Sequence, residues 1–296
     1  MNRRVRYEPT TCHTALNRVQ GMAFGWSLNP YQGCVHGCHY CYARRYHAFH
    51  DLDPGRDFES VIFVKRNVHR VLRQELRRPQ WRREQVAVGT ATDPYQPIEG
   101  RERLTRRCLQ AFLDHETPIS LITKGTLVVR DRDLLADLGR GPGASVCVSL
   151  TTLDLDLWRK LEPGTPPPSK RLWAMERLVA SGIRAGVLLA PILPGLTDDH
   201  VNLETVVRAA ADHGAQFLGT QVLYLKAGTR EHFLAFLSTH YPDLLKAYQR
   251  LYPGPFAPKR FQHDIKLDVE RIKVEAELVN QPAPPRRCLE QLELGI

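Results

Sequence analysis

Short apolar runs recur along the middle of the chain. They are Val86-Ala87-Val88-Gly89-Thr90, Ile119-Ser120-Leu121-Ile122-Thr123-Lys124, Val146-Cys147-Val148-Ser149-Leu150, Arg184-Ala185-Gly186-Val187-Leu188-Leu189-Ala190 and Phe217-Leu218-Gly219-Thr220-Gln221-Val222-Leu223. Each has the length of a strand, and several are apolar on both faces, as buried parallel strands are. A further run, Phe24-Gly25-Trp26-Ser27-Leu28-Asn29-Pro30, reads as a short strand closing on a proline-marked turn. Between the runs lie amphipathic stretches at 101–115, 131–138, 170–181 and 198–213. Alternation of strand and helix predicts an α/β fold of parallel β/α units. Six such units fit an open, partial TIM-like (β/α)6 barrel, whose polar strand ends would gather the chemistry at one mouth.

From Ala227 the periodicity weakens into segments of helical character, and 227–279 reads as a helical extension of the barrel at 21–226. A basic segment, 1–20, precedes the barrel. After Val279 the run Asn280-Gln281-Pro282-Ala283-Pro284-Pro285-Arg286-Arg287 reads as an extended linker, so 280–296 forms a tail.

Hydrophobic residues make up 43% of the 296 and charged residues 25%, an ordinary balance for a globular protein. Seven cysteines without a recognisable signal segment predict the reducing cytoplasm. The longest apolar run, 185–196, is broken by Pro191 and Pro194 and is too short to span a bilayer. Net charge is +9. Between Lys65 and Arg83 eight cations face one acid, Glu75, while Val64, Val68, Val71, Leu72 and Leu76 keep near-helical spacing. This predicts a helix with one core face and one basic face. Arg101, Arg103, Arg106 and Arg107 form a second cluster. Such stripes suit phosphate backbones, and equally a solvated arginine-rich surface.

The chemistry concentrates in Gly33-Cys34-Val35-His36-Gly37-Cys38-His39-Tyr40-Cys41-Tyr42. Thiolates suit iron–sulfur clusters and other soft-metal sites. Three of them on a four-iron cluster leave one iron open to a substrate. Gly33 and Gly37 give the loop the freedom to curl around a cubane. Zinc is the rival guest, with His36 or His39 as fourth ligand, although a zinc loop more often brings two paired ligand sets and no second set follows. Cys12, Cys108, Cys147 and Cys288 are scattered, which predicts ordinary thiols and no auxiliary cluster.

Cys34, Cys38 and Cys41 with the aromatic Tyr40 resemble the signature of the radical S-adenosylmethionine (radical SAM) superfamily. The longer string Asn29-Pro30-Tyr31-x-Gly33-Cys34-x-His36-Gly37-Cys38-x-Tyr40-Cys41-Tyr42-Ala43-Arg44 resembles its spore photoproduct lyase-related branch of DNA repair enzymes. The resemblance implies a partial barrel, a four-iron four-sulfur ([4Fe-4S]) cluster on the three cysteines, and S-adenosylmethionine (SAM) chelated to the open iron. It implies reductive cleavage to a 5′-deoxyadenosyl radical, with a flavodoxin- or ferredoxin-type electron donor. It further implies that Thr90 meets the methionine amino end, Lys124 its carboxylate, Ser149 the ribose, and that Tyr40 packs near the adenine. For DNA the resemblance and the basic stripes agree. One departure stands out. Spore photoproduct lyases carry a hydrogen-donating cysteine at the end of the second barrel strand, where this chain has Val88-Gly89-Thr90-Ala91-Thr92. Tyr42 and Tyr95 are the candidate hydrogen donors in its place. Two other readings stay open: a radical enzyme acting on RNA, a protein or a small metabolite, and a non-catalytic metal-binding adaptor on the replication clamp.

The chain ends in Gln291-Leu292-Glu293-Leu294-Gly295-Ile296, which resembles the bacterial sliding-clamp-binding motif. The glutamine amide would hydrogen-bond, and Leu292, Leu294 and Ile296 would fill apolar pockets on the clamp.

Overall fold

A computed structural model describes residues 5–22 and 24–282. The strands are β1 (Arg6–Thr10), β2 (Leu16–Arg18), β3 (Trp26–Leu28), β4 (Tyr31–Gln32), β5 (Val61–Lys65), β6 (Val86–Val88), β7 (Ile119–Thr123), β8 (Ala144–Ser149), β9 (Arg184–Ile192) and β10 (Leu218–Val222). The main sheet has the order β10-β9-β8-β7-β6-β3-β2. Its six strands from β3 to β10 pair in parallel, and β2 closes the edge antiparallel to β3. This is the expected six-stranded partial barrel. Val86, Ala87 and Val88 have no exposed surface, and neither do Leu121, Val146 or Val187. Burial on both faces is why these strands read as continuous apolar runs.

The helices are α1 (Val68–Leu76), α2 (Glu99–Glu102), α3 (Leu104–Asp114), α4 (Arg132–Arg140), α5 (Leu155–Leu161), α6 (Pro168–Ala180), α7 (His200–Asp212), α8 (Thr229–His240), α9 (Pro242–Leu251) and α10 (Lys259–Glu275). Asp154 caps α5 by accepting from the backbone N–H groups of Asp156 and Leu157, and Asp199 caps α7 through Asn202. The α8–α10 segment supplies the helices expected after residue 227, and α10 packs along α7. Beyond α10, Asn280 accepts from the Leu218 N–H and Gln281 donates to Gln216 O, which ties these residues to the start of β10. The clamp-like Gln291, Leu292, Leu294 and Ile296 lie outside the described residues, as does Cys288. No helix among the described residues is long and apolar enough to cross a membrane.

The helix expected across Lys65–Arg83 is shorter than its pattern. Val64 and Lys65 belong to β5, which forms a small second sheet in the order β1-β5-β4, and helix runs only over Val68–Leu76. Lys65 is therefore not on a basic face. Its ammonium donates to Asn29 O at 3.0 Å, and burial lowers its pKa. The second sheet was not anticipated, because β1 (Arg-Tyr-Glu-Pro-Thr) carries no apolar alternation. It matters for the site: β4 and β5 flank the cysteine loop.

Candidate active site

The cysteine loop leaves β4 and turns back on itself through Gly33 (φ +82°) and Gly37 (φ +62°). At Gly33 a side chain is excluded twice over. Its φ is left-handed, and a Cβ would sit 2.8 Å from Val61 O and 2.9 Å from His47 Cε1. Thr92 Oγ1 and Gln96 Nε2 both donate to Gly33 O, at 2.7 and 3.2 Å, and Gln96 Oε1 accepts from the Val35 N–H. The segment after β6 thus grips the loop from one side. Opposite, His39 N–H donates to Leu161 O and Gly164 N–H to His36 O, each at 3.1 Å or less.

Arg44 fastens the third side. Its guanidinium has no exposed surface. It donates to Gly37 O at 2.6 Å, Cys38 O at 2.9 Å, Gly55 O at 2.8 Å and Glu59 Oε2 at 2.9 Å. One planar fork therefore bonds the loop that carries Cys38 to the 53–59 segment. An open cavity of about 700 Å³, lined by Asp53, Glu59, Glu231 and His232 among others, lies behind this junction.

Cys34 and Cys38 are buried, and Cys41 is half-buried. Burial pushes all three thiols up, Cys38 to about 12. Such thiols surrender their protons in exchange for metal, not to water at neutral pH. Neither neighbouring imidazole is turned to them as a fourth ligand. His39 stacks between His232 and Phe236, with its Nδ1 3.0 Å from His232 Nε2. Burial lowers the pKa of His39 to about 3 and of His232 to about 4, so both rings are neutral. His36 Nδ1 lies 3.2 Å from the Asp93 carboxylate. Among the described residues no three His, Cys, Asp or Glu side chains converge as the ligands of a single ion do. The ligands of a cubane would bind separate irons and need not converge in this way.

The strand ends bring the other expected residues to this rim, with one exception. Lys124 follows β7, and its Nζ donates to Ser149 Oγ at the end of β8, 2.9 Å away. Ser149 passes the bond on to Ala190 O at 3.1 Å. Lys124 Nζ is 4.0 Å from Glu162 Oε1 and 5.5 Å from the centre of the Tyr40 ring. Burial works against its charge, but Cys38 and Glu162 outweigh burial and raise its pKa. Its ammonium has three donors and spends one on a hydroxyl, so it can bind a further anion. Tyr40 is buried, and its hydroxyl donates to Glu162 and meets Thr151 Oγ1 at 3.2 Å. Thr90, after β6, accepts from Asn29 Nδ2 at 3.3 Å. Tyr42 donates its hydroxyl to Thr90 O. Tyr95 is the exception: it is buried with its hydroxyl on Asp131 at 3.0 Å, inside an ion network with Arg106, Arg130 and Glu99.

Two residues at the centre of the rim were not anticipated. Glu162, in the turn after α5, accepts from Tyr40, Thr151, Thr165 and Arg171. Burial opposes its charge, yet Arg171 and Lys124 override this and bring its pKa down to about 2. Asp93 accepts from Thr123 Oγ1 at 2.6 Å and from the Lys124 N–H at 2.7 Å. Burial again opposes ionisation, and His36 with these donors holds its carboxyl well below the usual range. Asp93 thereby fixes the backbone at Lys124. It lies within the polar run after β6, a readable signal; Glu162 had none. Lys124 and Arg171 thus share the Glu162 carboxylate, and the spare Lys124 donors are what this part of the rim offers an anionic guest.

A family model, the radical SAM superfamily, matches residues 28–204. An uncharacterized protein of Mycobacterium tuberculosis is 40% identical over 95% of this chain and 84% of its own length. One of Methanocaldococcus jannaschii is 27% identical over 82% of this chain and 86% of its own. Among solved structures, spore photoproduct lyase complexed with dinucleoside spore photoproduct superimposes over 91% of this chain and 79% of its own, with a TM-score of 0.68 and 14% identity. A substituted form of that enzyme, with bound AdoMet and dinucleoside spore photoproduct, gives a TM-score of 0.66 at 15% identity over the same shares.

Proposed function

Because the chain belongs to the radical SAM superfamily, whose members are enzymes that use a [4Fe-4S] cluster and SAM, we propose that it is a DNA-directed radical enzyme with Cys34, Cys38 and Cys41 as its cluster ligands. When bound, these cofactors supply reductive cleavage of SAM to a 5′-deoxyadenosyl radical that takes hydrogen from the substrate. The single observation that carries the cofactor placement is Lys124: a largely covered ammonium with spare donors, its charge coupled to Cys38 and Cys41.

The residues divide the work. The thiols, losing their protons as metal binds, would each ligate a separate iron and leave the fourth open. Lys124 would donate to the methionine carboxylate, a charge-assisted bond. Thr90, oriented by Asn29, would meet the amino end. Ser149 would offer its hydroxyl to the ribose. Tyr40 would pack against the adenine, with its ring fixed by the hydrogen bond from its hydroxyl to Glu162. Arg44 holds the loop in register. Tyr42 is the hydrogen-transfer candidate at the rim, since its phenol sits directly on the Thr90 carbonyl. Tyr95, the other candidate, is not favoured, because its hydroxyl is committed to Asp131 away from the rim. The end of β6 bears Thr90 where a lyase-type thiol would stand, so the thymine-dimer lyase reaction itself is not assigned.

DNA is supported by the surface. Arg66, Arg70, Arg77, Arg78, Arg82 and Arg103 are exposed and make no ion pair among the described residues. Arg73 and Arg83 are spent on Asp114 and Glu116, while Arg101 and Arg106 are spent on Glu102 and Asp131/Asp133, which halves the second cluster but leaves a basic zone over α1 and the start of α3. A flavodoxin- or ferredoxin-type protein would supply the electron, and the 291–296 peptide would bring the enzyme to a sliding clamp. The test is anaerobic reconstitution with damaged and undamaged duplexes. The expected result is 5′-deoxyadenosine formation stimulated by DNA, with log affinity falling linearly in log salt. Cofactor cleavage indifferent to DNA, with no salt-dependent binding, would refute the substrate.

A further inference from the structure

The segment after the third cysteine is a nine-residue 3₁₀ helix, Tyr42–His50. Runs of this length are uncommon, because 3₁₀ geometry is strained beyond a turn or so. Its aromatic side chains form a line. Tyr42 meets Tyr46 edge-on at 6.5 Å, and Tyr46 meets Phe49 at 6.1 Å. The inner end is anchored at the mouth, where Tyr42 bonds Thr90 O. The middle is anchored on the loop, where Tyr46 packs against the small core of Cys34, Ala43 and Phe58. The outer end is free: Phe49 is 74% exposed. Arg45 lies over the Tyr46 ring with its guanidinium carbon 5.5 Å from the centre, and makes no ion pair among the described residues.

A lone exposed phenylalanine needs no explanation. This one ends a continuous aromatic line that starts at the mouth and carries an unpaired cation on its side. A base has a π-face for the rings, and its phosphate has a charge for the arginine. The unpaired Arg45 beside the Tyr46 ring favours a partner that brings an anionic group next to an aromatic face. We propose that Phe49 and Tyr46 form a stacking platform for a nucleobase beside the target nucleotide, with Arg45 on the adjoining phosphate. The proposal rests on the DNA-directed reading above and specifies where the strand is held as it enters the mouth. A base taken out of its stack needs a new π-partner, and an enzyme that works on a base must take it out.

The test uses the full-length protein and a single-stranded oligonucleotide carrying one 2-aminopurine, with binding followed by anisotropy and stacking by 2-aminopurine quenching. Phe49→Ala is expected to weaken binding by about 5- to 150-fold, the range for one base–aromatic stack, and to remove much of the quenching. The salt slope should stay unchanged, because no phosphate contact is lost. Phe49→Trp should restore both signals. Arg45→Gln should lower the salt slope by about one contact and leave the quenching in place. Wild-type binding and quenching in Phe49→Ala would overturn the platform while leaving DNA as substrate. No salt-dependent binding by the wild-type protein would overturn the DNA reading, and the platform with it. A dimer that dissociates on Phe49→Ala would also overturn it, by giving the exposed ring to a second copy.

Discussion

Glu162→Gln tests whether the rim is held by a buried charge or merely by shape. The substitution keeps the size of the side chain and an oxygen that can accept from Tyr40. It removes the negative charge that faces Arg171 and Lys124. Both partners of the Glu162–Arg171 pair are almost fully buried, at 3% and 1% side-chain exposure. Removing one member strands the other, at a cost of about 3–5 kcal/mol. The titration gives a second route to the magnitude. A carboxyl brought from 4.5 to about 2 corresponds to about 3 kcal/mol of stability at neutral pH. The folded pKa is depressed, so this contribution is complete above about 4.5 and is lost as pH falls from there toward about 2. Urea denaturation of the two proteins at pH 7 is the assay. With an m-value of about 3 kcal/mol/M for a chain of this length, the midpoint of the variant should fall by about 1 M. The gap between variant and wild type should then close as the pH is lowered through that window. Adding Arg171→Met to the variant should cost less than the two single changes together, because the stranded cation is gone. A variant within about 0.2 M of wild type at pH 7, with an unchanged gap at low pH, would refute the reasoning.

Lys124→Met should weaken SAM binding by about 10- to 150-fold, the worth of one hydrogen bond to a charged group, with cluster content intact; equilibrium dialysis of the reconstituted protein checks it. Alanine at any one of Cys34, Cys38 and Cys41 should abolish both the brown cluster absorbance and SAM cleavage, read by anaerobic spectroscopy and 5′-deoxyadenosine assay. Gly33→Ala should prevent cluster assembly, because the Cβ meets two fixed neighbours and the backbone cannot leave its left-handed turn; iron and sulfide analysis after reconstitution reports it. Deletion of residues 291–296 should abolish capture by a bacterial sliding clamp while cofactor cleavage continues at the wild-type rate, measured by pull-down and turnover in parallel.

The parts of this molecule that were legible in its sequence are those whose physics is local. A parallel strand buried on both faces must be apolar throughout, so β6–β10 announced themselves, and a three-thiol loop needs its ligands within a few residues. The helix expected over Lys65–Arg83 failed for a related reason. Val64 and Val68 are four residues apart, which satisfies a helical period although the first ends a strand and the second starts a helix. β1 was silent because it pairs at the edge of a three-stranded sheet and its side chains stay partly exposed, so no apolar pattern was required of it.

Glu162 shows the limit most clearly. Its partners are Tyr40 in the cysteine loop, Thr151 after β8 and Arg171 in α6, gathered from three places in the chain. Its own neighbours are an unremarkable turn. Ionised glutamate becomes tolerable there only once two cations and three hydroxyls have been placed around it, so its meaning exists at the level of packing and not of pattern. The same holds for Arg44, visible in the sequence as one letter after the cysteines. Its role as a fork joining the Cys38 carbonyl to Gly55 and Glu59 requires the 53–59 segment to fold back on the loop. The cysteines carry the chemistry proposed for the site. These two buried charge groups tie the cysteine loop to the strand ends and to the 53–59 segment in a single arrangement.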